Sequence, residues 1–373
     1  MATKVMVTGA GGFVGRHLLE ALHRRTNTEV IPVGKMTVPA LLDAGLQQAD
    51  VILHAAGVNR PTDPAEFETG NAEFTRTLCK RLQALGRRPT IVMTSSIQAE
   101  FDNPYGRSKL AAERALEDWA ERGGGRAVIF RLKNVFGKWC RPNYNSVTAT
   151  FCQAVAHDLP FTISDEKRVL ELVYIDDVVA AVLDCLRHAP GTGIERRDVS
   201  RSVSVALGEL AQTIRSFKAS RQNLRLPSFE TEFVRRLYAT YLSYLDGPDF
   251  SYALEQKTDP RGSLAEFMKS AQFGQLFVSR TKPGVTRGNH YHHTKTEKFL
   301  VVEGDALVRF RPIEGADIIE HRVSGTQFRV VDIPPGYTHS IQNVGTGELV
   351  TLFWASEIFD PAAPDTYFTP VQK

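Results

Sequence analysis

The sequence predicts a doubly wound parallel α/β sheet followed by an all-β barrel, and three observations carry that prediction. The chain opens on a short apolar strand, Lys4–Val7, that runs into a glycine turn and then a segment of helical period. Further short apolar runs alternate with helix-period segments, the pattern of a parallel sheet with crossover helices. Past Leu245-Asp246-Gly247-Pro248-Asp249, where two breakers and two acids end a helix-like run, the pattern changes to short strands punctuated by glycine and proline. Residues 1–245 and 246–373 are therefore read as two domains, in keeping with a length of 373 residues.

Composition narrows the function classes. Net charge is +3 without a lysine or arginine block, so no nucleic acid or membrane surface is expected as a partner. Cys79, Cys140, Cys152 and Cys185 are scattered without a Cys-x-x-Cys pair and read as reduced, mostly buried thiols. No basic-then-apolar leader precedes the first strand and no apolar run approaches membrane-spanning length. The expectation is a soluble cytoplasmic protein.

The first strand feeds Thr8-Gly9-Ala10-Gly11-Gly12-Phe13-Val14-Gly15, and Val14, Leu18, Leu19 and Leu22 then recur on one helical face. A strand, a glycine turn and a helix start make an anion site, because free N–H groups point at a phosphate and glycines let the backbone come close. The second strand, Glu29–Val33, is followed by no acid before Pro39, and Lys35 stands just after it. A ribose 2′-hydroxyl calls for an acid there and a 2′-phosphate for positive charge, so NADPH is expected rather than NADH, with Lys35 and Arg16 near the phosphate. Asp50–Gly57 and Ile91–Ser96 read as the next strands, the first ending in His54, Ala55 and Ala56.

Tyr105 and Lys109 stand four residues apart at the start of a helix and share a face. An ammonium beside a phenol favours the phenolate, so Tyr105 is expected to titrate well below its ordinary value and to exchange a proton during carbonyl reduction. Farther on, Asp177 is expected to cap a helix that buries Val178, Val182 and Leu186. In the β region His290 and His292 lie two apart and share a strand face, while Glu297 and His339 come from other strands. Three imidazoles and one carboxylate inside a barrel make a divalent-metal set, zinc first, with iron, nickel and manganese as alternatives.

These motifs carry resemblances. The Gly9-x-x-Gly12-x-x-Gly15 turn with Tyr105-x-x-x-Lys109 resembles the extended, sugar-nucleotide-modifying branch of the short-chain dehydrogenase/reductase family, a Rossmann-type fold. The resemblance implies that Gly9, Gly12, Phe13, Val14 and Gly15 seat the pyrophosphate and that His54, Ala55 and Ala56 lie on the adenine and pyrophosphate side. It also implies that a hydroxyl at the end of the fourth strand, Ser96 or alternatively Ser95, orients the substrate carbonyl. Ser96-Ile97-Gln98 stands where the family's dehydratases carry Thr-Asp-Glu, which favours a plain keto reductase. Arg131 to Gly137 resembles the segment that opens the family's substrate half, and Asn134, Arg141, Asn143 and Asn145 are assigned to the sugar nucleotide.

Gly284 to Gly304 and Pro334 to Asn343 resemble the two motifs of the cupin (jelly-roll) fold. Asp259 to Phe267 resembles the opening of cupin-fold epimerases that act on nucleotide-linked 4-keto-6-deoxy sugars, where the arginine, here Arg261, contacts substrate. Those relatives lack the metal and use histidine as base, so the epimerase acid and base stay open among Tyr337, Asp259 and Arg261. Asn59–Pro61, 103–109, 136–146, 240–245, 282–284 and 288–302 together resemble the CapF/WbjC-type bifunctional enzymes of capsule and O-antigen biosynthesis. That resemblance implies a homodimer whose cupin domain epimerises C3 of UDP-2-acetamido-2,6-dideoxy-L-arabino-hexos-4-ulose. Its reductase domain then uses NADPH to give UDP-2-acetamido-2,6-dideoxy-L-talose, on the route to UDP-N-acetyl-L-fucosamine. Two rivals are a non-catalytic, nucleotide-sensing reductase-like domain with a sugar-binding cupin whose metal is structural, and a cupin oxygenase fused to a reductase.

Overall fold

The computed structural model describes residues 2–187, 191–255, 257–259, 262–264, 268, 274–357 and 362–372. They pack as two compact units. Met1–Phe136, Cys140–Val147 and Val169–Val205 form the first, and Gly137–Trp139, Thr148–Arg168 and Ala206–Lys373 the second.

The first unit is built on β1 (Thr3–Thr8), β2 (Thr28–Val33), β3 (Val51–His54), β4 (Thr90–Ser96) and β5 (Arg126–Leu132). A small sheet of β6 (Asn134–Phe136), β7 (Val169–Tyr174) and β9 (Val203–Ala206) accompanies them, and β8 (Gly193–Arg197) closes the main sheet. The main sheet is parallel with order β2-β1-β3-β4-β5-β8. Helices cover both faces, so the strands read as unbroken apolar runs: Val5, Met6 and Val7, like Ile52 and Leu53, are fully buried. The helix Phe74–Ala84 docks through Leu78, Cys79 and Leu82 and the helix Pro104–Trp119 through Ala112, Leu116 and Trp119. Each fully buried leucine contributes about 1.5–3 kcal/mol. The chain leaves β1 to opposite sides for β2 and β3, which opens a crevice at the carboxyl ends of the strands.

The helix Ile175–Asp184 begins two residues before the cap position expected from sequence. Tyr174, with its backbone still extended, is its N-cap and makes no side-chain cap bond. Asp177 instead lies with Asp176 inside the first turn, where its charge complements the helix N-terminus.

The second unit holds two antiparallel five-stranded sheets. Its strands are β10 (Ser251–Ala253), β11 (Lys257–Asp259), β12 (Gly262–Leu264), β13 (Gln275–Thr281), β14 (Thr286–Tyr291), β15 (Glu297–Glu303) and β16 (Asp305–Pro312). They continue with β17 (Ile319–Ser324), β18 (Arg329–Ile333), β19 (Tyr337–Asn343), β20 (Leu349–Ala355) and β21 (Tyr367–Phe368). One sheet runs β10-β18-β15-β20-β13 and the other β17-β16-β19-β14-β21, the jelly-roll architecture. The Phe299 ring from the first meets the His339 ring from the second at 5.7 Å, so their inner faces touch.

The helices Leu207–Asn223 and Glu232–Leu242 belong to this second unit, so the packing boundary lies at 205/206, ahead of the change in element type at 245/246. Two anchors account for it. Arg221 pairs with the fully buried Asp332 on β18, which Lys298 on β15 also meets at 2.5 Å. Phe229 stacks on Trp354 with ring centroids 5.7 Å apart.

Candidate active site and metal centre

In the first unit the glycine loop is fixed by close approach of backbone to backbone. Gly9 has φ +70°, and a Cβ there would lie 2.6 Å from Ala56 N and 2.7 Å from the Ala55 carbonyl. A Cβ on Gly15 would lie 2.1 Å from Gly9 O. Both positions need glycine. Gly12 N donates to Gly9 O at 2.8 Å, and Gly12 caps the helix Phe13–His23 without a side-chain bond, so Phe13 and Val14 open its first turn. Ala55 N donates to Thr8 O and Ala56 N to Thr8 Oγ1, so the turns after β1 and β3 are tied together.

His54 is turned inward. Its ring lies between Thr8 Oγ1 at 2.7 Å and Thr75 Oγ1 at 2.9 Å, and burial, helped by the Lys109 charge, pushes its pKa down to about 3. It is a neutral brace under the loop. Lys35 is exposed in the turn after β2, which Gly34 N and Thr37 Oγ1 close at 3.0 Å.

Ser96, Tyr105 and Lys109 converge. Asn103 caps the helix Pro104–Trp119 by accepting from Gly106 N at 2.8 Å, with Pro104 at its first turn. The connection from β4 is short because Gly106 lets the helix ride on the turn: a Cβ there would sit 2.2 Å from Gln98 O. The Ser96 hydroxyl lies beside the Tyr105 phenol and accepts from Gln98 N at 3.1 Å, whereas Ser95 points away and bonds Glu113. Lys109 is buried, and its Nζ donates to Thr94 O at 3.0 Å.

The electrostatics correct one expectation. Burial pushes the Tyr105 phenol up to about 12, against the pull of the Ser96 hydroxyl and with a further push from Tyr144. Burial also pushes Lys109 down to about 8, against Glu113. Burial sets both shifts, and the ammonium is engaged with the Thr94 carbonyl inside the fold rather than paired with the phenol as spacing alone suggested. Tyr105 is thus a protonated phenol at neutral pH, the form a proton donor requires.

Among the assigned substrate residues, Asn134 is committed to pairing β6 with β7: its Nδ2 donates to Glu171 O at 3.1 Å. Arg141, Asn143 and Asn145 are exposed, Asn143 with φ +55°, and the Arg141 guanidinium lies 5.3 Å from the Tyr144 ring. Tyr144 Oη accepts from Asn59 N and Arg60 N at 3.4 Å, which brings this loop beside Tyr105. Sequence reasoning missed Asn71, a buried residue in the π-helical turn Glu68–Glu73. Its amide bridges Val58 and Ser108, steadying the helix at Tyr105. A one-residue insertion in a helix leaves no sequence signal of its own.

In the second unit His290, His292, Glu297 and His339 come together with their ligand atoms all within 4.8 Å of one another. A register shift between Gly288 and His290, with Asn289 at φ +59°, aims β14 at the cluster. His292 Nε2 and His339 Nε2 each stand 3.5 Å from Glu297 Oε2, and although both are buried neither nitrogen has a hydrogen-bond partner among the described residues. That separation is long for a hydrogen bond, but donors around a tetrahedral ion at about 2.0–2.1 Å stand roughly 3.4 Å apart, so the set fits a metal. Burial and the neighbouring imidazoles push His290 down to about 3, leaving it neutral as a ligand must be. Burial opposes the Glu297 charge, yet His292 and His339 hold its carboxyl well below the usual range.

His292 Nδ1 lies 2.6 Å from Asp365 O, which fixes the tautomer with the Nε2 lone pair toward the cluster. The Asp365 carboxylate accepts the N–H groups of His293, Thr294 and Lys295. Nothing in the sequence near Asp365 signals this role, since it joins segments some seventy residues apart. Tyr337 shares a β19 face with His339 and packs edge-on against Phe250 at 4.9 Å, half-buried and with its phenol pushed up by burial. Arg261 lies outside the described residues, and of Asp259 only the backbone is described.

Residues 5–195 match the NAD dependent epimerase/dehydratase family and residues 257–367 the polysaccharide biosynthesis C-terminal domain. A UDP-2-acetamido-2,6-beta-L-arabino-hexul-4-ose reductase of Pseudomonas aeruginosa is 44% identical over 98% of each chain. The capsular polysaccharide assembling protein CapF from Staphylococcus aureus superposes with TM-score 0.67 at 45% identity, covering 98% of this chain and 100% of that one. A UDP-glucuronic acid 4-epimerase from Bacillus cereus, 19% identical with TM-score 0.56 over 65% of this chain, shares the fold of the first unit. With both family matches in place and 44% identity over nearly its whole length, the chain belongs to the NAD dependent epimerase/dehydratase family and, within it, to the two-domain CapF type.

Proposed function

We propose that the chain is a bifunctional nucleotide-sugar enzyme. Residues 1–245 reduce the C4 ketone of a UDP-linked 2-acetamido-2,6-dideoxy-4-keto sugar with NADPH, and residues 246–373 first invert C3 as a metal-dependent epimerase. The observation that carries the reading is the convergence of Ser96, Tyr105 and Lys109 at the carboxyl end of a parallel sheet beside a glycine turn. The full-length similarity to the P. aeruginosa reductase supports the sugar and its ketone.

NADPH, when bound, supplies the hydride. The chain's own part is to hold and move the proton: Ser96 orients the carbonyl, Tyr105 donates its phenolic proton to O4, and Lys109 places positive charge beside the phenolate left behind. Gly9, Gly12 and Gly15 admit the pyrophosphate, Lys35 faces the 2′-phosphate, and Tyr144 with Arg141 lies on the sugar-nucleotide side.

A divalent cation, zinc first, would be held by His290, His292, Glu297 and His339 and would polarise a carbonyl as a Lewis acid. Chemistry sets the order of the two reactions. The proton at C3 is acidic only while the neighbouring C4 is a ketone, so epimerisation precedes reduction. Asp365, through His292, keeps one imidazole in the ligating tautomer. The active species is a homodimer of a cytoplasmic protein.

The test is direct. Purified protein is assayed for metal content by mass spectrometry and then given the UDP-linked 4-keto-L-arabino sugar with NADPH. The expected result is about one divalent ion per chain and a talo-configured, C4-reduced product by NMR. A C4-reduced product that keeps the arabino configuration at C3 would remove the epimerase half of the reading.

A further inference from the structure

We propose that Glu113 is a positioning residue for the Tyr105–Lys109 pair: a buried carboxylate, balanced by Arg131, that sets the charge and the placement of the Lys109 ammonium. The inference rests on the reading of Tyr105 as proton donor and Lys109 as its partner.

Glu113 follows Lys109 by one turn of the helix Pro104–Trp119, so Tyr105, Lys109 and Glu113 form one stripe at four-residue spacing. It has no solvent exposure, a place where an unpaired carboxylate is not tolerated. Its pairing is dense. Arg131 Nε donates to both carboxylate oxygens at 3.1 Å, Arg131 Nη2 donates to Oε2 at 2.6 Å, and Ser95 Oγ donates to Oε1. Ser95 and Arg131 face each other in the register of β4 and β5. One carboxylate therefore pins the helix that carries Tyr105 and Lys109 to the strand that ends in Ser96.

A clamp alone would not require a charge at that point. The groups that face Lys109 show why the charge matters. Among the described residues these are His54 from β3, a neutral imidazole; the Thr94 carbonyl from β4; and, from its own helix, Glu113 one turn after. Glu113 is thus the anion in this set, and burial works against it to lower the Lys109 pKa. Arg131 is shared with the exposed Glu100 at 3.0 Å, so its charge does not cancel Glu113 completely. Changing either member of the Glu113–Arg131 pair should move Lys109, in opposite directions.

The experiment measures turnover of the UDP-4-keto sugar with NADPH against pH for the unaltered protein and for Glu113→Gln, Arg131→Gln and Ser95→Ala. In parallel, the rate of competitive acylation of Lys109 against pH is read by peptide mass spectrometry. Loss of the carboxylate charge lowers the Lys109 pKa, so in Glu113→Gln the alkaline limb and the acylation midpoint move down together by on the order of one pH unit. In Arg131→Gln both move up. Ser95→Ala removes a donor and no charge, and leaves both midpoints in place.

Midpoints that stay put in the two charge variants while turnover falls would overturn the proposal and leave Glu113 a clamp. A shift in Ser95→Ala equal to that in Glu113→Gln would overturn it as well, because geometry and not charge would carry the effect. The two charge variants have opposite signs, so either one that melts like the unaltered protein decides. If the unaltered protein reduces none of the keto sugar, the functional reading fails while the acylation midpoints still judge the coupling.

Discussion

The two sites are assembled in opposite ways. In the first unit Ser96, Tyr105 and Lys109 fall within fourteen consecutive residues, delivered by one strand end, one turn and the first turns of one helix. In the second unit the four candidate ligands span His290 to His339 and meet only because two sheets bring their inner faces together. The first is tuned by a charge one helical turn away, the second by a backbone carbonyl from the far C-terminal segment. Local spacing can specify which groups meet, but only the packed fold specifies the protonation state in which they meet.

Four substitutions separate the two sites, taken from the largest expected effect to the smallest. Tyr105→Phe should cost about 10²–10⁴-fold in NADPH oxidation, the range for removing a general acid, while bound metal and deuterium exchange at C3 persist. Loss of exchange in that variant would show that the two chemistries are not separable. Asp332→Asn leaves Lys298 and Arg221 uncompensated in the second unit and should destabilise it by about 3–5 kcal/mol in urea unfolding. A first unit whose own unfolding is unmoved by that change keeps the comparison; one that unfolds with it breaks it.

Asp365→Ala removes the acceptor groups that order residues 293–295 behind His292, and metal affinity should fall about 10–100-fold by competition with a chelator. NADPH binding should not change. Lys35→Ala, an exposed position, is worth at most about 1 kcal/mol and should raise KM for NADPH several-fold with little change for NADH. Equal effects on both cofactors would remove Lys35 from the 2′-phosphate.

Much of the fold is legible in the chain. The strands of the parallel sheet are continuous apolar runs because both faces are covered, and the glycine turn marks itself because Gly9 and Gly15 sit where any Cβ would strike backbone. The helices Leu207–Asn223 and Glu232–Leu242 show in their periodicity, but their allegiance to the β unit does not, since it rests on Arg221 reaching Asp332 and Phe229 reaching Trp354 across more than a hundred residues. The Tyr105 phenol is the clearest case of chemistry that spacing cannot supply. Lys109 at four residues suggests a lowered pKa, whereas burial raises it. Glu113 is visible at the same spacing, yet its partner Arg131 is brought to it only by the register of β4 and β5.

The central claim is that one chain epimerises C3 and then reduces C4. A single incubation in deuterated water tests it, with the UDP-linked 4-keto-L-arabino sugar and NADPH, read by NMR. Deuterium at C3 of a talo-configured, C4-reduced product is the predicted result. A reduced product carrying only protium at C3 would contradict it.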